Sequence, residues 1–342
     1  MIQMIILALV GLLLVGVAAI LILGYSWSRT EHGILDYKTA IVLKLRDAFS
    51  GDQVLTAARM REEAIARGRL MQKKPVPVAK VEEMTIPGPG GEIPIRVYWP
   101  TEEGSLPVLV FYHGGGWVTG NLDTSDNLCR MLSSRAPAVV VSVDYRLAPE
   151  HCFPAAVDDS YAALEWVSRN AERLDVDSSR VAVGGASAGG NLAAAVALMT
   201  RDRAGPGLAS QVLIYPVTNL LDLTTASHLH FADGYGMTRE HVEFFRDSYL
   251  PEVPDRKNPY ASPLLAESLE DLPSAIVITA GFDVLRDEGV AYAERLEAAD
   301  VPTIHVNYPS MIHGFVAMDR LFGEAEEAID EAAAALSEAF GR

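Results

Sequence analysis

The stretch Val181-Ala-Val-Gly-Gly-Ala-Ser187-Ala-Gly-Gly-Asn191 decides how this chain is read. A short β-branched run gives way to small residues and then to Leu192-Ala-Ala-Ala-Val-Ala-Leu198, a good helix former. Gly185-Ala-Ser187-Ala-Gly189 fits G-x-S-x-G, the strand-to-helix turn called the nucleophile elbow. A serine held at the tip of a strained turn needs neighbours with little or no side chain. The N–H groups that open the helix then point toward any oxyanion formed beside Ser187. The bland alternative is a glycine-rich helix entry without chemistry, and this motif alone does not separate the two.

Upstream, His113-Gly-Gly-Gly-Trp117 follows directly on the apolar run Val108–Tyr112. Three glycines leave backbone N–H groups unshielded, so an oxyanion can approach them. A dinucleotide loop does not fit, because no helix opens at Gly120, and no G-K-[ST] follows for a phosphate loop. The motif matches the H-G-G-G oxyanion loop of lipases and esterases.

Further strands are expected at Ala138–Val143, Val181–Val183, Gln211–Tyr215, Ala275–Thr279 and Thr303–Tyr308. Helices are expected at Asp126–Ser134, Asp158–Arg169, Asn191–Arg201 and Asp287–Ala299. Most of these strands are continuous apolar runs, as in sheets covered on both faces. The alternation implies an α/β fold with a mainly parallel sheet. Lys80 to Tyr98 reads as a hairpin around Pro87-Gly-Pro-Gly-Gly91. Between Val217 and Ala261 the rhythm breaks into an insertion carrying a capped helix, Thr238–Tyr249, which reads as a lid.

A serine nucleophile needs a base oriented by an acid, in the order Ser, Asp or Glu, His. Five histidines follow Ser187: His228, His230 and His241 in the insertion, His305 within a strand, and His313 just past that strand. His313 suits the base. Asp283, past Ala275–Thr279, suits the acid; Asp287 is the runner-up or a helix cap, and Asp144 precedes the serine.

His113–Trp117, Asp144-Tyr-Arg-Leu-Ala-Pro-Glu-His151, Gly185–Gly190, Leu272–Gly289 and Tyr308–Phe315 together resemble the hormone-sensitive lipase family of α/β-hydrolases over about residues 80 to 320. The resemblance implies Ser187 as nucleophile, Asp283 as acid and His313 as base. It places the oxyanion hole at Gly115, Gly116 and the N–H of Ala188, with Gly114 adjacent, and gives His113 a bracing role. It also implies a cap built from the amino-terminal helices and the insertion. Many members carry Asp or Thr where this chain has Ala186, so a hydrogen bond made there is missing.

The 342 residues carry a formal net charge of −17, which argues against a nucleic-acid partner. Cys129 and Cys152 make no metal-ligand spacing and read as free buried thiols. Met4 to Leu23 has no charged or polar side chain and is long enough to span a bilayer, with Tyr25 and Trp27 at the interfacial position. A cleaved signal peptide competes, but the apolar run is long and lacks a basic start. Arg29, Lys38, Lys44 and Arg46 all follow the span, which places the catalytic domain in the cytoplasm. Tyr37 to Arg69 reads as helical and Pro75 and Pro77 as a linker.

The sequence thus divides into an anchor (1–28), a helical cap region (29–79) and a hydrolase domain (80–342) with its insertion at about 217–261. The expected activity is hydrolysis of short-to-medium acyl or apolar esters, without metal or cofactor. Rival readings are amide or acetyl-group hydrolysis by the same residues, and a membrane-attached binding protein without turnover; the membrane segment, atypical for bacterial-looking members of the family, resembles that of the membrane-anchored arylacetamide deacetylase branch. The sequence admits a homodimer as readily as a monomer.

Overall fold

The computed structural model describes residues 1–49, 54–101 and 104–341. Eight strands form the main sheet: β1 Lys80–Gly88, β2 Gly91–Trp99, β3 Leu106–Tyr112, β4 Val139–Val143, β5 Val176–Ala186, β6 Ser210–Ile214, β7 Ser274–Phe282 and β8 Thr303–Ile312. Their order is β8-β7-β6-β5-β3-β4-β2-β1. Every pairing from β4 through β3 to β8 is parallel, and only the β1–β2–β4 edge pairs antiparallel. Strands β3 and β4 are buried along their whole length, which explains their nearly continuous apolar sequence.

Nine helices longer than two turns accompany the sheet among the described residues: α1 Ile2–Trp27, α2 Tyr37–Phe49, α3 Ala57–Met71, α4 Asp126–Arg135, α5 Ala155–Arg169, α6 Ala188–Asp202, α7 Arg239–Tyr249, α8 Arg286–Ala298 and α9 Gly323–Ala339. Two apolar clusters flank the sheet. One gathers α5, α6 and α8 with the insertion; the other gathers α4 and α9. The helix α9 was not expected. Its alanine-rich Glu324–Leu336 core carries few large apolar residues, yet Ala325, Ala328, Ala332 and Ala333 bury fully because the backbone lies close to the sheet.

The helical reading of Tyr37 to Arg69 resolves into α2 and α3, and its part at 50–53 lies outside the described residues. Cys129 is buried as expected, but Cys152 is only half-buried; both are free. Strand β5 begins five residues earlier than the apolar run suggests. Val176 pairs with Leu106 across a register shift, so Asp177-Ser-Ser-Arg180 forms the polar, partly exposed entry to a buried strand.

The β5–α6 turn fits only because two glycines line it. A Cβ on Gly189 would sit 1.9 Å from the Tyr112 carbonyl oxygen, and one on Gly185 would sit 2.3 Å from the Gly189 carbonyl carbon. Helix α6 therefore rests directly on the end of β3, and its small residues through Ala197 pack flat against the sheet. Gly189→Ala should destabilise the fold by about 3 kcal/mol or more, because backbone on both sides cannot yield. Gly207→Ala, where a Cβ meets nothing within 4 Å, should change stability by about 0.5 kcal/mol or less. Urea unfolding of the two variants checks the contrast; equal midpoints would mean the elbow is not sterically closed.

Candidate active site

At the tip of the β5–α6 turn Ser187 adopts φ 58° and ψ −118°, a conformation that costs a non-glycine residue roughly 1–3 kcal/mol. Its N–H donates to the Ile214 carbonyl at 2.8 Å and its own carbonyl receives Asn191 N–H at 3.0 Å, which clamps the turn from both sides. The side chain stays 9% exposed. Ser187 Oγ lies 2.9 Å from His313 Nε2, and His313 Nδ1 lies 2.7 Å from Asp283 Oδ2. Three residues distant in sequence thus form one hydrogen-bonded chain at the carboxyl ends of three strands.

Asp283 follows β7 and is 1% exposed; its other oxygen accepts Leu285 N–H at 2.9 Å, which fixes the carboxylate. His313 follows β8, and the Tyr215 ring backs its imidazole at 4.7 Å. With Nδ1–H donating to Asp283, Nε2 is left as an acceptor for the serine hydroxyl.

The glycine loop comes from the end of β3. A Cβ on Gly114 would lie 3.5 Å from Ser187 Cβ, so the loop runs alongside the serine. Gly115 and Gly116 take φ 125° and 62°, and Cβ atoms there would strike Thr119 O and the Phe245 ring. Ala188, at the start of α6, is fully buried beside them. His113 is fully buried too, and burial pulls its imidazole down to about 4. The neutral ring donates from Nδ1 to the Gly114 carbonyl at 2.9 Å and stacks on Tyr145, whose hydroxyl donates to the His113 carbonyl at 2.7 Å. It braces the loop, as the family resemblance implied. Asp144 faces His113 Nε2 at 3.7 Å.

The remaining candidates sit elsewhere. His305 bonds Thr279 across β8 and β7 at 2.9 Å, a sheet role. His241 closes a capping box with Thr238 at the start of α7. Asp287 does not cap α8: its Oδ2 accepts Ser227 N–H at 2.7 Å and ties the insertion to that helix.

Three tethering residues escaped the sequence reading. Asn191 on α6 donates to both the Val217 and Ala261 carbonyls at 2.9 Å, so one amide holds both stems of the insertion. Arg61 on α3 donates to the Val118 and Ala148 carbonyls and pairs with Glu150, which binds α3 to the glycine loop. Glu288 accepts Thr218 N–H at 2.7 Å and Asn219 N–H at 3.2 Å. Asn191, four residues after Ser187, and Glu288, next to Asp287, stand beside candidate residues in the sequence, whereas nothing local marks Arg61. Two surface hollows, of 430 and 610 Å³, are lined around Arg96 and around Trp166 and do not include Ser187.

This geometry places the chain in a known family. The alpha/beta hydrolase fold model matches residues 109–317, and the chain belongs to the hormone-sensitive lipase family of α/β-hydrolases. Among its relatives is the carboxylic ester hydrolase LipN of Mycobacterium tuberculosis, 43% identical over 85% of this chain and 78% of that protein. The carboxylesterase NlhH of the same organism is 44% identical over 83% of this chain and 91% of its own length. Of solved structures, the ester-hydrolase EH1AB1 from the metagenome of Lake Arreo, complexed with a bipyridine phosphonate derivative, superposes with a TM-score of 0.86. It is 43% identical, with 90% of this chain and all of that chain covered.

Glu288 also carries a pH signature. Burial pushes it up to about 8, reinforced by the carboxylates of Asp283 and Asp287 and opposed by its two N–H donors. Burial lowers its neighbour His228, whose Nε2 stands 3.6 Å from Glu288 Oε2, so both are neutral near pH 7. The folded chain keeps a proton that the unfolded chain releases, so stability falls as pH rises from the ordinary glutamate value toward about 8. Glu288→Gln keeps the accepting oxygen and cannot ionise. Its melting temperature should fall less than that of the wild type between about pH 5 and about pH 9. Parallel curves would mean that Glu288 is already ionised in the fold.

Proposed function

We propose that the chain is a serine carboxylic-ester hydrolase that works through an acyl-enzyme, held at a membrane by α1. The observation that carries the reaction is the continuous Ser187–His313–Asp283 chain, with contacts of 2.9 and 2.7 Å. Relatives named carboxylic ester hydrolase and carboxylesterase at 43 and 44% identity support it.

Asp283 holds the His313 tautomer whose Nε2 accepts a proton and stabilises the imidazolium that forms. Ser187 Oγ attacks the ester carbonyl carbon as its proton moves to Nε2. The carbonyl π electrons shift to oxygen, where N–H groups of Gly115, Gly116 and Ala188 receive the charge, with Gly114 setting the approach. Collapse expels the alkoxide, which takes the proton from Nε2, and leaves the acyl group on Oγ. Water then repeats the sequence, releases the acid and returns the proton to Ser187. All of this uses side chains and N–H groups of the chain itself.

Leu9–Trp27 is long and apolar enough to cross a membrane, and nearly all of it is exposed, unlike the core helix of a soluble protein. That exposure supports a retained anchor, with residues 29–79 as the amino-terminal part of the cap and 80–342 as the hydrolase domain. The basic residues after the span favour a cytoplasmic domain.

Ser187→Ala should keep the fold and lower ester turnover on the order of 10⁴-fold, with loss of labelling by a fluorophosphonate probe. Retained turnover would assign the nucleophile elsewhere.

Asp283→Asn should be nearly as severe, since the amide favours the wrong His313 tautomer. Asp287→Asn should cost far less, because that carboxylate contacts Ser227 and Arg286 and not His313. Turnover of a p-nitrophenyl ester ranks the two; the reverse order would move the acid to Asp287.

A further inference from the structure

The carboxyl end of α1 does not hang on a free tether. Gly24 and Ser28 are buried, and a Cβ on Gly24 would lie 2.6 Å from Ile41 of α2. Leu35 N–H donates to the Ser28 carbonyl at 2.8 Å, closing the short hairpin Arg29–Thr30 and Gly33–Ile34 against the helix end. The hairpin in turn touches the catalytic loops. Asp36 N–H donates to the Ser310 carbonyl at 2.9 Å, three residues before His313. Gly33 packs toward Phe282, the neighbour of Asp283. His32 stacks on His230 of the insertion at 4.7 Å, and Arg46 donates to the Gly236 carbonyl. One short chain of contacts therefore joins the membrane end of α1 to the acid and base loops.

The depth of this region follows from the helix. Tyr25 and Trp27 are exposed aromatics at the end of the apolar run, where an interface belongs, and the Arg29 guanidinium lies 4.6 Å over the Tyr25 ring. At the same level the hairpin exposes Ile34 by 69%. Leu45, 54% exposed, lies on the face of α2 that meets α1 at Tyr37 and Ile41, one turn further along. Leu229, beside His230, is 58% exposed.

Charge is distributed to match. The hairpin and α2, residues 29–49, carry four basic and three acidic side chains, a net of +1, while residues 75–342 carry a net of −21. An anionic surface repels the second segment strongly and the first not at all, which orients the body with this face toward lipid.

We propose that the face formed by the hairpin and α2, with Leu229 of the insertion, rests on the anionic surface of the bilayer that α1 spans, and that esters dissolved in that bilayer reach Ser187 from this side. This rests on the reading of α1 as a retained anchor. The hydrolase domain is then fixed with the loops of Asp283 and His313 toward the lipid, so an apolar ester need not cross water to be hydrolysed.

The test uses the full chain in vesicles of phosphatidylcholine with and without phosphatidylserine. In a Cys152→Ser background, an environment-sensitive fluorophore is attached at Ile34→Cys, Leu45→Cys or, as control, Glu172→Cys. Emission at positions 34 and 45 should shift to the blue with lipid, more strongly with phosphatidylserine, and position 172 should not respond. Ile34→Asp/Leu45→Asp should lower turnover of a bilayer-dissolved ester by about fivefold or more and leave a water-soluble short ester unchanged. Alkaline extraction and the mass of the mature chain report α1 separately. A chain that is extracted, or that lacks residues 1–28, overturns both the anchor and the docking face. A retained chain whose probes at 34 and 45 stay in water, or cross-link to a second copy, overturns the docking face alone.

Discussion

The approach of Gly189 to the Tyr112 carbonyl is the constraint on which the site depends. It brings the start of α6 against the end of β3 at a distance no side chain allows. That contact holds Ser187 in its positive-φ backbone conformation at the carboxyl end of β5, within reach of His313. It also sets the glycine loop beside the serine, because the loop leaves β3 at the very next residue, His113. The strain at Ser187 persists because two backbone hydrogen bonds and a fully buried helix over-determine it.

Around this turn, buried polar bonds hold what apolar packing would leave free to slide. Asn191 holds both stems of the insertion, Glu288 and Asp287 hold its first residues from α8, and Arg61 holds α3 to the glycine loop. Each of these would leave unsatisfied buried carbonyl or N–H groups if removed, at a cost of about 1–3 kcal/mol per group. The insertion and α3 are thus attached at defined points near the Ser187 turn. Phe245, packed on Gly116, shows how close α7 comes to the glycine loop.

Much of this was legible in the residues. The elbow, the glycine loop, Asp283 and His313 each follow a strand, and the observed hydrogen bonds join the same three side chains that chain order selected. The hairpin around residues 87–91 and the helix of the insertion with its Thr238 cap also appear as read. Strand and helix interiors matched because continuous β-branched runs and small-residue runs each have one stable packing against a covered sheet. The helix α9 was missed because its buried face is alanine, which carries little apolar contrast. Of the two uses open to Asp287, second acid or helix cap, the structure shows neither, because its carboxylate in the first helical turn accepts Ser227 N–H instead.

By itself the sequence determined the order of strands and helices up to α8, the identity of the small residues at the turns after β3 and β5, and the residue types available as candidate nucleophile, base and acid. These are local matters: a turn that admits only glycine, or a run that must be covered on both faces, is written in consecutive residues. The tertiary structure alone decided which carboxylate faces His313, that Cys152 is only half-buried, and that Asn191 and Glu288 tie the insertion down. It alone decided that the end of α1 touches the loops of Asp283 and His313. Such relations join residues tens to hundreds of positions apart. Nothing in their local sequence marks the pairing, because its free energy comes from desolvation and geometry that exist only once the sheet has assembled.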